Sequence, residues 1–291
     1  MGISLFFVNL FHSLFGGKST TTTETTTRNT SIKKKAICIG INDYPGTAND
    51  LKGCVNDARN WANLLKSRYG FQINNMLLDV GANKAAVIRA LKELISSAVI
   101  GDNLVVTYSG HGTNVKDTNG DEEDCRDEAI CLYDGYLIDD ELRDIISKLP
   151  SGVKLTVISD SCHSGTVTRA FLSTLNNEEY IKARYMPPED DVEAFALASM
   201  PLKKSFFVPR SDMKEVLISG CQSTEYSYDA QIGGQPTGAF SYYAIDILKN
   251  TPYITYEKFY KLLRDRLPNS QYPQTPCLEG SAESLKAIMF E

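Results

Sequence analysis

Histidine is scarce in this chain, with three among 291 residues, so any chemistry that needs an imidazole is confined to very few positions. A surplus of base is missing too: 30 Lys and Arg stand against 36 Asp and Glu, for a formal charge of −6. That balance argues against nucleic acid as the main partner, because phosphate binding demands clustered cations. Basic peptides suit an acidic protein better. No CxxC pair occurs, so the sequence carries no zinc signature. The seven cysteines are widely spaced and odd in number, unlike a secreted disulfide framework, and a reducing, cytoplasmic compartment is expected. The apolar opening MGISLFFVNLFHSLF is too short to span a bilayer. It has no basic flank and no nearby cleavage site, and Phe6 stands where a myristoylation start wants Ser or Thr. Peripheral membrane contact and a detachable leader both stay open.

What is present is enough apolar content, 42%, to bury a substantial core. From Lys18 to Thr30 the composition falls to a Thr-rich tract that cannot offset the entropy of ordering, and it reads as a disordered linker. Beyond it, Ala36 to Ile41, Asn103 to Tyr108, Val153 to Ser159 and Val216 to Ser219 are short β-branched runs without polar alternation, as expected of parallel strands covered on both faces. Cys54 to Tyr69, Lys84 to Ile100 and Asp139 to Leu149 repeat apolar residues at three and four, as amphipathic helices do. Asp139 is placed at the cap of the last of these. Strand and helix alternate, so the class is α/β with a mostly parallel central sheet. The stretch Thr166 to Lys214 has no such rhythm and contains four prolines. It reads as a long, partly flexible insertion.

In open parallel sheets, ligands sit at the carboxyl ends of the strands. Two such ends carry reactive groups: NLVVTYS runs into Gly110-His111-Gly112, and VKLTVIS runs into Asp160-Ser161-Cys162-His163. Glycines flanking His111 let a substrate carbonyl approach backbone amides. Cys162 and His163 are adjacent in sequence and would point apart, so His111 is the better partner for the thiol, and His163 takes a supporting role. Such a pair can form a thiolate, attack a carbonyl and protonate the leaving amine, which is cysteine-protease chemistry. Cys38, Cys131, Cys221 and Cys277 are read as small hydrophobes.

YSGHGT, DSCHSG about fifty residues later, and the early GCVNDA together resemble the metacaspases, a branch of the caspase-like clan; the QAC context of animal caspases is absent. The resemblance runs from about Lys35 to the C-terminus. It implies a caspase-hemoglobinase fold, a three-layer α/β/α sandwich, with His111 and Cys162 as the catalytic dyad and the amides of Gly112 and Cys162 as oxyanion donors. It also implies a pocket for the residue before the scissile bond lined by Cys54, Asp57, Ser109 and Asp160. Two carboxylates in a partly buried slot favour Arg or Lys and reject acid. The expected organisation is a leader and linker over 1–34 and a peptidase domain over 35–291. That domain divides into a large-subunit-like part (35–166), an insertion (167–213) and a small-subunit-like part (214–291). Self-cleavage is expected at basic residues of the insertion, Arg169, Lys182, Arg184, Lys203, Lys204 or Arg210, or at Lys33 to Lys35. Family members of this type imply a monomer.

Calcium is the remaining question. Asp117 to Glu128 imitates an EF-hand loop, but Glu122 replaces the turn glycine and Cys125 a ligand. In calcium-dependent metacaspases the ligand positions match Asp127, Asp139 and Asp140, with a fourth carboxylate where this chain has Arg169. No cofactor is needed for the chemistry itself, and calcium stands as a possible activator. The competing readings are a catalytically silent caspase-like scaffold and a calcium-responsive interaction module.

Overall fold

The computed structural model describes residues 32–116, 126–162, 180–187 and 213–291. In chain order the described elements are β1 (Lys34–Gly40), α1 (Cys54–Tyr69), β2 (Gln72–Leu78), α2 (Lys84–Ser96), β3 (Asn103–Ser109), β4 (Gly112–Lys116), β5 (Arg126–Leu132) and β6 (Gly135–Ile138). They continue through α3 (Asp139–Ser147), β7 (Lys154–Asp160), β8 (Ile181–Ala183), β9 (Glu215–Ser219), β10 (Tyr228–Ile232) and β11 (Gln235–Gly238). The last are α4 (Ala239–Asn250), α5 (Tyr256–Arg264), β12 (Cys277–Glu279) and α6 (Ala282–Lys286).

Six strands form the central sheet in the order β12-β9-β7-β3-β1-β2. All neighbours are parallel except β12, which runs antiparallel to β9. Because strand side chains alternate, each inner strand feeds two cores. Ala36, Cys38, Val105 and Ile158 face one side, where Trp61 and Leu65 of α1, Phe240 and Leu248 of α4 and Phe259 of α5 cover them. Ile37, Ile39, Leu104, Val106 and Val157 face the other, under Val87 and Leu91 of α2 and Ile145 of α3. The result is the expected helix–sheet–helix sandwich. Two three-stranded sheets, β4-β5-β6 and β11-β10-β8, lie outside it.

The four apolar runs become β1, β3, β7 and β9 with ends shifted by one or two residues. The edge strand β2 carries no unbroken apolar run, because its residues alternate between exposed and half-buried. The helix expected to reach Ile100 stops at Ser96, where the Ser97 and Ala98 amides close onto Glu93 and Ile95 and Gly101 turns at φ 90°. Ile138, not Asp139, occupies the cap of α3; Asp139, Asp140 and Glu141 fill its first turn, where carboxylates meet the positive helix end. Among the described residues, no helix is long and apolar enough to cross a membrane. The apolar opening and the Thr-rich tract lie outside the described residues.

Ile158 is 1% exposed in the middle of β7. Ile158→Ala should cost about 2–5 kcal/mol and Ile158→Val about 0.5–1.5 kcal/mol, read as a lower urea midpoint with unchanged slope.

Candidate active site

The parallel register of β3 and β7 sets Ser109 opposite Asp160, so the loops leaving these strands open at the same end of the sheet. The Gly110 amide reaches the Asp160 carbonyl at 3.4 Å. His111 is buried and held on several sides. Its amide donates to Tyr44 Oη at 2.8 Å, and its carbonyl accepts from Tyr108 Oη at 2.6 Å. The Tyr44 ring lies 4.9 Å from the imidazole, centre to centre. Nε2 stands 2.6 Å from the Asn49 carbonyl. A carbonyl oxygen only accepts, so Nε2 must carry the hydrogen, and Nδ1 is left as the lone-pair nitrogen. Nδ1 has no hydrogen-bond partner among the described residues. Burial pushes the imidazole down to about 4, so it is neutral near pH 7.

Cys162 is fully buried. Its Sγ accepts from the Ser227 amide at 2.7 Å and lies 3.3 Å from the Ser227 carbonyl. No hydrogen bond joins it to His111. Nearby, the Cys221 thiol is pushed well up by its hydrogen bond to Cys162 and by burial. Cys38 and Cys131 are buried as well, whereas Cys277 is half-buried.

The two loops meet on a single atom. The amides of Gly112 and Cys162, expected as oxyanion donors, both donate to the Arg184 carbonyl oxygen, at 2.9 and 3.2 Å. Residues around Arg184 were expected to belong to an insertion without secondary structure, yet Ile181–Ala183 form β8, antiparallel to β10, with Ala183 opposite Tyr228 and Lys182 opposite Asp229. The Arg184 amide donates to the Ser227 carbonyl at 2.9 Å, and the Met186 amide to the Gly112 carbonyl at 3.0 Å. Composition alone could not show this pairing, because its partner strand lies some forty-five residues away. His163, Arg169, Lys203, Lys204, Arg210 and the acidic tract over 117–125 fall outside the described residues.

The Arg184 side chain fills a closed pocket and is wholly buried. Nη2 lies 2.6 Å from Asp57 Oδ2 and 2.9 Å from Asp229 Oδ1, and Nη1 lies 3.0 Å from Asp160 Oδ2. Each carboxylate is also fixed from behind. Asp57 accepts from Thr237 Oγ1 and the Gly238 amide; Asp160 from the hydroxyls of Ser227 and Ser241 and from the Ser241 amide. Asp229 accepts from the Lys52 and Gly53 amides and from Tyr180 Oη. Gly238 is obligatory here, since a Cβ on it would lie 2.6 Å from Arg184 Nη1. Burial opposes the charge on Arg184, but the carboxylates of Asp160, Asp57 and Asp229 outweigh it and hold the guanidinium firmly charged. Burial pushes Asp57 up to about 7, and the like charge of Asp160 adds to that, against the pull of Arg184.

Of the four residues expected to line the pocket, Asp57 and Asp160 hold the guanidinium and Cys54 is buried within its field. Ser109 is buried beside Asp160, but none of the guanidinium's hydrogen bonds goes to it. Asp229, Ser227 and Asn49 escaped the sequence reading. An acid inside an apolar strand such as YDAQI is itself a sign of a paired buried charge, and that sign pointed to Asp229. Asn49 acts through its main chain and leaves no trace in residue type; Ser227 meets Cys162 through its amide and carbonyl and Asp160 through its hydroxyl.

Residues 34–170 match the model of the metacaspase, peptidase C14 domain. Metacaspase-1 of Debaryomyces hansenii is 34% identical over 90% of this chain and 68% of its own length. The chain belongs to the metacaspase family. This metacaspase is therefore a cysteine-type peptidase with a caspase-like fold. The crystal structure of protein GSU0716 from Geobacter sulfurreducens superposes with a TM-score of 0.66 at 33% identity, covering 89% of this chain and 98% of that one. Caspase-1 of Spodoptera frugiperda shares the fold at a TM-score of 0.55 and 11% identity, over 86% of each chain.

Among the described residues, no three His, Cys, Asp or Glu side chains come together as a metal site. Asp127 is buried on β5, whereas Asp139 and Asp140 are paired with Arg143 at 2.7 and 2.6 Å. A calcium ion held by these carboxylates would compete with the Arg143 guanidinium for Asp139 and Asp140, although Asp139 Oδ1 is buried and has no hydrogen-bond partner among the described residues.

Asp57 binds its proton more tightly in the folded chain, at about 7 against an ordinary 3.8. Its contribution is therefore present at low pH and lost as pH rises through about 7. Urea midpoints at pH 5 and pH 8 should differ by more in the wild type than in Asp57→Asn.

Proposed function

We propose that this metacaspase is an endopeptidase that cuts after Arg, and less readily after Lys, with Cys162 as nucleophile and His111 as its acid–base partner, and that it cuts itself after Arg184. The observation that carries this reading is the seating of Arg184. Its guanidinium lies among three carboxylates while its carbonyl oxygen accepts from the two amides at the mouths of the His111 and Cys162 loops.

The chemistry follows from the groups in place. Cys162 Sγ leaves Ser227, gives its proton to His111 Nδ1 and attacks the carbonyl carbon before the scissile bond. The charge that develops on the oxygen is met by the Gly112 and Cys162 amides, already aimed at it. His111 then passes the proton to the departing amine, which leaves a thioester on Cys162. A water molecule, deprotonated by the same nitrogen, attacks the thioester, and the proton returns to the sulfur as the acid departs. A neutral imidazole suits this sequence, since it must first accept a proton.

The pocket supports basic specificity on charge and reach. An acidic side chain would join three carboxylates. A lysine ammonium ends about one bond short of the position Nη2 holds between Asp57 and Asp229, and it lacks the planar fork that serves several acceptors at once.

Full-length wild type should separate into two fragments, the second beginning at Tyr185, while Cys162→Ala and Arg184→Gln stay whole at that bond. Cys162→Ala should also lower turnover of an Arg reporter by roughly a thousandfold or more. Mass spectrometry of the purified chains decides it, and a Cys162→Ala chain still cut after Arg184 would remove the assignment. Turnover should persist in excess EGTA, since Arg143 neutralises two of the three carboxylates offered to calcium; activity lost there and restored by calcium would show an activator.

A further inference from the structure

The docked segment is held beyond Arg184 as well as before it. Tyr185 forms a parallel bridge to Gly112 at the start of β4. The Gly112 amide donates to the Arg184 carbonyl at 2.9 Å, and the Gly112 carbonyl accepts from the Met186 amide at 3.0 Å. One residue of β4 therefore grips the chain on both sides of the Arg184–Tyr185 bond. Before that bond β8 pairs with β10, and the Arg184 amide goes to the Ser227 carbonyl. The segment thus passes from the β11-β10-β8 sheet to the edge of the β4-β5-β6 sheet where the cut would fall.

β4 can receive a chain because it is an edge strand: β5 pairs with one of its sides, and the other lies outside the sheet. The Cys131 amide donates to the His111 carbonyl, and main-chain groups alternate in direction along a strand, so those of Gly112 point to the outer side. A peptide laid there adds as a strand through backbone bonds that any sequence can make, and selectivity comes from its alternate side chains. The two residues after the bond are treated differently. Tyr185 is half-buried, with its ring 6.2 Å from that of Tyr226. Met186 is 9% exposed and packs into the apolar cluster that holds Cys131 and Leu132 of β5 and Leu137 of β6. Pro187 is exposed again. Met186 lies in no strand or helix of its own, so its burial comes from the surface it is docked against.

We propose that the outer edge of β4 binds the part of the substrate that follows the cut, with an apolar hole for the second residue after the scissile bond. The proposal rests on the reading that the chain is cut after Arg184. It narrows the substrate class to Arg-X-apolar peptides, of which Arg184-Tyr185-Met186 is the internal example. It also gives Gly112 two tasks, its amide meeting the carbonyl oxygen before the cut and its carbonyl recognising the amide after it. An acidic side chain in the hole would lose its water to an apolar cluster. A residue without an amide hydrogen would leave the Gly112 carbonyl unpaired.

Internally quenched peptides test it on the full chain, both as purified and as the Arg184→Gln variant that frees the pocket. Ile-Lys-Ala-Arg-Tyr is held constant and the next residue is Met, Leu, Asp or N-methyl-Met. Leu should match Met within about threefold in kcat/KM, whereas Asp and N-methyl-Met should each lower it by about tenfold or more. In the chain itself, Met186→Asp should slow cleavage after Arg184, and Met186→Leu should leave it close to the wild-type rate. Equal kcat/KM for the Met and Asp peptides, or for the Met and N-methyl-Met peptides, would overturn the proposal while leaving the Arg-specific peptidase intact. If wild type cuts none of the four faster than Cys162→Ala does, the reading beneath it fails as well.

Discussion

One buried guanidinium organises this molecule. Arg184 is wholly enclosed, and its three carboxylate partners come from separate parts of the fold: Asp57 from the first turn of α1, Asp160 from the end of β7 and Asp229 from β10. A charge removed from water costs several kcal/mol unless it is paired and hydrogen-bonded, so such a cluster holds only if the elements carrying it are fixed in advance. The fixing comes from behind. The N-terminal turn of α4 sends the Ser241 amide to Asp160, the Gly238 amide just before it meets Asp57, and the amides leading into α1 meet Asp229. Helix ends of positive polarity thus face the negative cluster, and Trp61 Nε1, bonded to Ser241 Oγ, ties α1 to α4 across the core.

The pocket has a charge imbalance that would favour a cation. Three carboxylates share one guanidinium, and the strain falls on Asp57, whose proton affinity rises through burial and through Asp160. Filling such a site with a cation relieves repulsion as well as forming hydrogen bonds. A neutral side chain would leave three buried acids facing one another, and an acidic one would add a fourth.

The parts of this architecture that were legible in the sequence are those written in side-chain periodicity. Runs covered on both faces gave β1, β3, β7 and β9, and the three-to-four spacing gave α1, α2 and α3, because burial on both faces or on one stripe dictates residue type. The strand ends bearing His111 and Cys162 were legible for the same reason: an apolar run that breaks abruptly into Gly, His, Asp and Cys has no packing explanation. β2 was hidden because an edge strand buries little. β8 was hidden because its order comes from a distant partner strand and from a single buried side chain, not from its own pattern. Asn49 could not be found at all, nor the amide of Ser227 that meets Cys162, since a carbonyl or an amide is the same group in every residue, and only the path of the chain decides what it meets.

The arrangement also separates recognition from reaction. The arginine and its carbonyl oxygen are already seated, with the two amides in place, yet the Cys162 sulfur is engaged with Ser227 and the His111 nitrogen that would take its proton has no partner. Contacts equally strong before and during bond breaking tighten binding without lowering the barrier. The guanidinium and its three acids are of that kind and cannot by themselves supply rate. What changes along the reaction is the charge on the carbonyl oxygen and the proton between sulfur and imidazole. On the proposed Cys162–His111 mechanism, catalytic power lies in the Gly112 and Cys162 amides and in how firmly the Asn49 carbonyl holds the ring. On that proposal, a chain docked in its own site is bound tightly and still waits for one rearrangement, the movement of a sulfur atom from a backbone amide toward an imidazole nitrogen.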